Sequence, residues 1–225
     1  MTIHYHGTPI TPRSVLQTLS GRCFCVSFAS PNDVTWAHEH GQSVMLDNGA
    51  FSVWKRGIKP DWEKYYDWAG HWLAYPTTWA VIPDDIEGGE AENDALLKDW
   101  PHKRGVPVWH LHESIERFER LCADYDRVCI GSSAQYQVVG SPIWHERMTQ
   151  AMNAICKDGV VPVWLHMLRG LAAARFGYPF ASVDSTDIAR NHHIRNNALE
   201  MANIWDAIQC KPQWEIVPQQ ERMFA

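Results

Sequence analysis

Ser43-Val-Met-Leu-Asp-Asn-Gly-Ala-Phe51 is a short apolar run closed by an aspartate, and Phe180-Ala-Ser-Val-Asp-Ser-Thr-Asp187 repeats the pattern near the other end of the chain. An apolar run of this length fits a strand buried on both faces, as in a parallel sheet. In parallel α/β folds the ligand site lies just beyond the carboxyl ends of the strands. If both strands belong to one barrel, Asp47 and Asp184 face one pocket.

Working outward, extended segments are expected at residues 3–6, 23–28, 43–47, 79–84, 106–112, 127–132, 160–167 and 181–185. Helical patterns lie between most of them, at 31–40, 61–73, 90–100, 114–125, 143–157 and 168–175. Ser114 is a good N-cap and is followed by Ile115, Phe118, Leu121 and Cys122 on one face. Asp61 likewise precedes Trp62, Tyr65 and Tyr66 at helical spacing. Strand and helix alternate, which predicts an α/β fold with a parallel sheet: a compact (β/α)8 TIM-like barrel, with a doubly wound open sheet as the rival. Residues 1–210 read as one catalytic domain ending in a helix over 196–209, and residues 211–225 as a C-terminal tail.

The chain has 225 residues, 45% of them hydrophobic, enough to bury a full core. Its net charge of −6 counts against non-specific binding to nucleic acid, although a local basic face can exist on an acidic protein. Lys55-Arg56 and the segment from Arg190 to Arg195 are candidates for such a face. No signal peptide opens the chain and no run approaches the roughly 18 apolar residues of a membrane span, so a cytoplasmic protein is expected. The six cysteines form no CxxC pair and read as reduced core residues.

Six of the eight extended segments end in polar or small residues: Asp47-Asn48-Gly49, Asp84-Asp85, His110 with His112, Gly131-Ser132-Ser133, His166 with Met167, and Asp184-Ser185. In a barrel these converge on one mouth. Any one of them alone could simply cap the following turn; the coincidence across strands is what points to a site. Two acids on different sides of a barrel suit glycosyl transfer, one carboxylate attacking the anomeric carbon while another group handles the proton. His110-Leu-His112 puts two imidazoles on one face of a strand, which leaves a metal-dependent hydrolase as an alternative. Trp54, just past Asp47, could stack on a base or pack under its own loop. His4 and His6 have no evident partner and read as structural.

Taken together these residues resemble the tRNA-guanine transglycosylase superfamily, and within it the compact DNA-modifying branch of phages and bacterial genomic islands. The Leu46-Asp-Asn-Gly-Ala-Phe51 run is similar to the family's Asp-Ser-Gly-Gly-Phe/Tyr motif, which implies Asp47 as general acid/base. Ile82-Pro-Asp-Asp-Ile86 is similar to the strand end that reads the guanine edge, through Asp84 or Asp85. Val128-Cys-Ile-Gly-Ser-Ser133 resembles the strand whose backbone contacts the base, implicating Gly131 and Ser132. Leu165-His-Met-Leu168 resembles the strand whose apolar side chain lies against the ring, hence Met167. Val183-Asp-Ser-Thr-Asp-Ile-Ala-Arg-Asn191 resembles the final motif, with Asp184 as nucleophile and Asp187 as the alternative.

The resemblance covers residues 43–191 and departs from the family in two places. Where relatives carry a cysteine-rich zinc site after the nucleophile, only Cys210 is found, so no metal is expected and DNA is favoured over tRNA. Where they carry a glutamine, this chain offers His110 or His112. The resemblance thus implies exchange of a guanine in a polynucleotide for a free 7-deazaguanine base, through a covalent aspartyl intermediate and without a cofactor. Arg190, Arg195, Lys55 and Arg56 would hold phosphates, and a protein partner or a homodimer would extend the nucleic-acid surface. A non-catalytic nucleobase-binding protein is the remaining alternative.

Overall fold

The eight expected extended segments form nine strands, the one over 106–112 being split in two, in the computed structural model, which describes residues 1–195 and 197–218. They are β1 (Ile3–Gly7), β2 (Cys23–Ser27), β3 (Ser43–Asp47), β4 (Thr78–Val81), β5 (Gly105–Val106), β6 (Val108–His110), β7 (Arg127–Gly131), β8 (Trp164–Met167) and β9 (Ser182–Ser185). The sheet runs β5-β4-β3-β2-β1-β9-β8-β7-β6, and every pairing is parallel. Its two edges, β5 and β6, are separated in the chain by Pro107 alone. Proline has no N–H to give to a ladder, so one extended stretch is split into a half that pairs with β4 and a half that pairs with β7. The Pro107 carbonyl still accepts from the Cys129 N–H at 2.8 Å, and the Val106 carbonyl from the Ile82 N–H at 2.9 Å. The sheet therefore closes into a TIM-like barrel, whereas an open doubly wound sheet would leave two unrelated edge strands.

Helices surround the sheet: α1 (Arg13–Gln17), α2 (Val34–His40), α3 (Ala50–Lys55), α4 (Trp62–Trp72), α5 (Glu90–Asp99), α6 (Ile115–Asp124), α7 (Pro142–Ile155), α8 (Asp187–Asn191) and α9 (Ala198–Asp206). Side-chain caps open several of them. Asp61 accepts from the Lys64 N–H at 3.2 Å, Ser114 from the Arg117 N–H at 3.1 Å, and Ser141 from the Trp144 N–H at 3.3 Å. The short helices α1, α3 and α8 span too few residues to display a 3.6-residue period, and periodicity does not predict them. The helix expected over 168–175 is instead a 3-10 turn, Leu171–Arg175. Arg169 takes a left-handed φ of 52°, which ends β8 sharply and delays the helical turn.

Three buried clusters follow from closure. Inside the barrel are Tyr5, Cys25, Met45, Trp79, Val108 and Cys129 among others, with the Trp79 indole donating to the Tyr5 hydroxyl at 2.9 Å. Outside it, one cluster packs α6 and α7 against β6 to β8, and the other packs α2, α4 and α9 against β2 to β4. Trp62, Trp68, Trp72 and Trp100 are partly buried against the second, Trp205 against the first, and Trp144 is fully buried. His4 and His6 find partners late in the chain, the Ile208 carbonyl at 2.8 Å and Asp206 at 3.0 Å. Among the described residues past 210 there is no regular element. Trp214 docks on α7 through Asn153 Oδ1 at 2.9 Å and stacks on Tyr178. Residue 196, where the closing helix is expected to start, and residues 219–225 of the tail lie outside the described residues. All six cysteines are free, and no described helix is long and apolar enough to cross a membrane.

A buried ion pair supports the end of β6. Glu113 accepts from the His110 N–H at 2.8 Å, from Arg117 Nη1 at 2.7 Å and from Asn93 Nδ2 at 3.0 Å. Arg117 also donates to the Val108 carbonyl at 3.0 Å. Removing one member of such a pair strands the other charge in the interior, so Glu113→Ala should cost about 3–5 kcal/mol. The exposed partner of the same network, Arg120, should cost less than about 1 kcal/mol on truncation. Urea denaturation of the two variants at pH 7 measures the contrast.

Candidate active site

The carboxyl ends of the strands enclose a cavity lined by Asp47, Asn48, Asp84, His110, Arg169 and Asp184, with Ala50, Phe51, Gly131 and Ser132 completing the wall. The expected residues from β3, β4, β6, β7 and β9 thus meet in one place. Its volume is about 70 Å³, room for about two water molecules. Phe51 and Arg169 close the mouth, the guanidinium lying 4.1 Å from the ring centroid. A larger cavity of about 700 Å³ lies at the opposite end of the barrel, where the strands begin, and shares no residue with this one.

Asp184 is the penultimate residue of β9 and is buried. Its Oδ1 accepts from the Arg169 N–H at 2.7 Å and pairs with His166 Nε2 at 3.2 Å. Both partners engage the same oxygen, which leaves Oδ2 as the one available for attack. Arg169 holds the left-handed backbone that is uncommon for a side-chain-bearing residue, and that conformation delivers its N–H to the carboxylate. Gly170 is required next to it, since a Cβ there would lie 2.1 Å from Met167 Cγ.

His166 is held from behind. Its Nδ1 pairs with Ser182 Oγ at 2.7 Å, and Ser182 Oγ accepts from the Trp164 indole N–H at 2.8 Å. An indole can only donate and an ionised carboxylate can only accept. With Asp184 ionised, neutral His166 must carry its proton on Nε2, and Ser182 must donate to Nδ1. The partners therefore assign the tautomer, and every donor in the chain points toward Asp184.

Asp47 ends β3 in a different environment. Burial pushes its carboxyl up to about 6; the Ser27 hydroxyl opposes that, the negative charges of Asp184 and Asp84 add to it, and the Gly49 N–H, at 3.2 Å, opposes it weakly. Asp84 is fixed by Asn48 Nδ2 at 2.7 Å and His110 Nε2 at 2.9 Å. For His110, burial acts to lower the pKa, and the hydrogen bond and charge of Asp84, with Glu113 behind, outweigh it and raise the value. The ring lies so close to Gly131 that a Cβ there would meet Nδ1 at 2.8 Å, so glycine is needed at that strand end. The Ser132 hydroxyl is turned outward to the Trp144 indole at 2.9 Å.

Four expected residues lie elsewhere. Met167 is 0% exposed and packs in the outer core, because β8 alternates and it is His166 that points inward; Leu168 takes the wall position. His112 stacks on His110 and bonds Ser133 Oγ at 2.7 Å, outside the cavity lining. Asp85 accepts from the Glu87 and Gly88 N–H groups in a tight turn. Trp54 lines a neighbouring cavity. Lys55, Arg56 and Arg190 are exposed, and Arg195 reaches Asp187 at 3.3 Å. Among the described residues no group of three or more His, Cys, Asp or Glu is arranged to hold a metal ion. Asn48 and His166 are among the strand-end residues expected at the mouth and Phe51 belongs to the first motif, each without an assigned role; Arg169 is not expected there, and its sole sequence signal is the glycine that follows.

No known protein family matches the chain, and no curated protein is significantly similar to it.

Two outcomes follow from this electrostatics. Nitrogen NMR of the imidazoles should find His166 protonated on Nε2; an Nδ1–H tautomer would refute the assignment. The folded value of Asp47, about 6, lies above its unfolded value near 4. Its ionisation therefore costs the fold nothing below pH 4 and on the order of 3 kcal/mol above pH 6. Asp47→Asn should be more stable than wild type at pH 8, with the gap closing by pH 4, as thermal melts across that range would register.

Proposed function

We propose that the protein is a base-exchange transglycosylase acting on a polynucleotide. The observation that carries the reading is a difference between two carboxylates at one barrel mouth: Asp184 has one oxygen engaged by two donors and the other left open, while burial pushes the Asp47 carboxyl up to about 6. That pairing is what a double displacement at a glycosidic carbon requires.

In the first half, Asp184 Oδ2 attacks C1′ of a guanine nucleotide. The C1′–N9 bond breaks, and the departing base takes the proton of the Asp47 carboxyl. In the second half, the Asp47 carboxylate removes the N9 proton of an incoming 7-deazaguanine. That nitrogen attacks C1′ and releases Asp184. The glycosidic bond energy is conserved in the ester intermediate, so no cofactor is consumed. Asp84, with Asn48 and His110 fixing its orientation, is suited to accept from the N–H edge of the base, and the backbone at Gly131 and Ser132 flanks it. The cavity is too small for a purine until the Phe51–Arg169 pair parts. A target inside a duplex must also be flipped out, at a cost of a few kcal/mol. DNA is the favoured polymer, on the resemblance of the sequence motifs to the compact DNA-modifying branch.

Radiolabelled guanine incubated with double-stranded DNA, single-stranded DNA and bulk tRNA tests the proposal directly. Label should enter DNA, and Asp184→Asn should abolish both incorporation and covalent trapping. Incorporation by that variant at the wild-type rate would remove Asp184 as nucleophile, and no incorporation into any polymer would sink the reading. The rate should pass through a maximum near pH 6, since Asp47 acts as acid in the first half and as base in the second, and Asp47→Asn should remove that maximum.

A further inference from the structure

A second cavity, of about 630 Å³, adjoins the catalytic one and shares Ala50, Asp84 and Ile86 with it. The chemistry above makes no use of it. One wall is apolar and aromatic: Trp54 and Ile58, 43% and 54% exposed, stand beside Val53 and Trp62. Such large apolar groups left in solvent beside a site call for an occupant. Lys59 lines the same wall, and Lys55 and Arg56 adjoin Trp54 in the chain; none of the three joins an ion pair among the described residues.

The facing wall carries carboxylates. Asp85 Oδ1 accepts from the Glu87 and Gly88 N–H groups at 3.1 and 2.9 Å, and Glu92 Oε2 from the Gly89 N–H at 3.0 Å. These bonds fix each carboxylate by one oxygen, and the other is available as an acceptor. The cavity is thus bipolar, with unpaired cations and an indole on one side and anchored acceptors on the other. An aromatic ring with N–H donors at one end and an anionic group at the other satisfies both walls.

We propose that this cavity seats a nucleotide adjacent to the target in the strand, its base against Trp54, its phosphate toward Lys59 and an exocyclic amino group toward Asp85 and Glu92. Cytosine, adenine and guanine offer that amino group. Thymine and uracil present carbonyls, which the carboxylates repel. The inference rests on the polynucleotide reading above and gives it a sequence preference.

Fluorescein-labelled five-nucleotide DNA and RNA oligonucleotides with a central guanine, flanked by cytosine or by thymine or uracil, provide the test by anisotropy. Cytosine-flanked strands should bind at least about fivefold tighter. Trp54→Ala should weaken binding about tenfold and erase the preference, and Glu92→Gln should erase the preference with little loss of affinity. Lys59→Ala should reduce the slope of log affinity against log salt by about 0.7. The DNA and RNA arms identify the polymer. Wild-type affinity and preference in Trp54→Ala, a preference for thymine or uracil, or no binding of any oligonucleotide would each overturn the proposal. Binding with the stated preference but no base exchange would reject the transglycosylase reading and leave this cavity standing. Exchange indifferent to Trp54 and to the flanking base would do the reverse.

Discussion

Closure of the sheet at Pro107 is the constraint on which the site depends. The stretch Gly105–Val106, Pro107, Val108–His110 pairs with β4 through its first half and β7 through its second, so the ends of β3, β4, β6, β7 and β9 form a ring instead of a line. Asp47 and Asp184 are separated in the sheet by β1 and β2, yet they line a single cavity. In an open sheet of the same strands, Asp84 and His110 would be carried toward opposite edges. In the closed one they meet at 2.9 Å. Glu113 reinforces the join by holding the His110 N–H while itself held by Arg117, which places the most heavily buried ion pair directly beneath the point of closure.

With the ring closed, the carboxylates differ by the donors the local backbone can supply. Asp184 receives the N–H of Arg169 because that residue is left-handed, and an imidazole whose proton position is set by Ser182 and Trp164. Asp84 receives an amide and an imidazole. Asp47 is buried with a 3.2 Å contact from the Gly49 N–H, and burial first, with the charges of the other two behind it, pushes its carboxyl up to about 6. Cys25 and Cys129, enclosed in the same barrel, are pushed well above the usual thiol range by burial first and by the aspartates second, which keeps them inert as nucleophiles.

The strands were legible because each is a short apolar run bounded by turn residues, and the strand-end aspartates because a carboxylate has no place in the middle of such a run. Ser43–Asp47 begins and ends where the sequence places it. What was not legible depends on contacts far apart in the chain. His166 is one of twelve histidines, and only the pairing of β8 with β9 puts Ser182 behind it. The side-chain direction of Met167 turns on the register of β8, where a shift of one residue exchanges the two faces. The role of Arg169 lies in its N–H and its φ, which residue identity does not disclose. The three short helices carried no period to read, and the partners of His4 and His6 lie more than 190 positions away.

The cavity at the strand ends is small, and what holds it shut is weak. The Phe51–Arg169 contact is exposed, and the second tie of the guanidinium, to the Ser132 carbonyl, is long at 3.4 Å. Together they are worth on the order of 1–2 kcal/mol, which leaves an open population of roughly 3 to 16% and weakens apparent binding by about 6- to 30-fold. The Arg169 N–H that supports Asp184 is a backbone group, so the side chain can swing away from Phe51 without releasing the Asp184 carboxylate. Opening the mouth and keeping the carboxylate oriented are thereby assigned to different atoms of one residue. The left-handed backbone at Arg169 permits that separation.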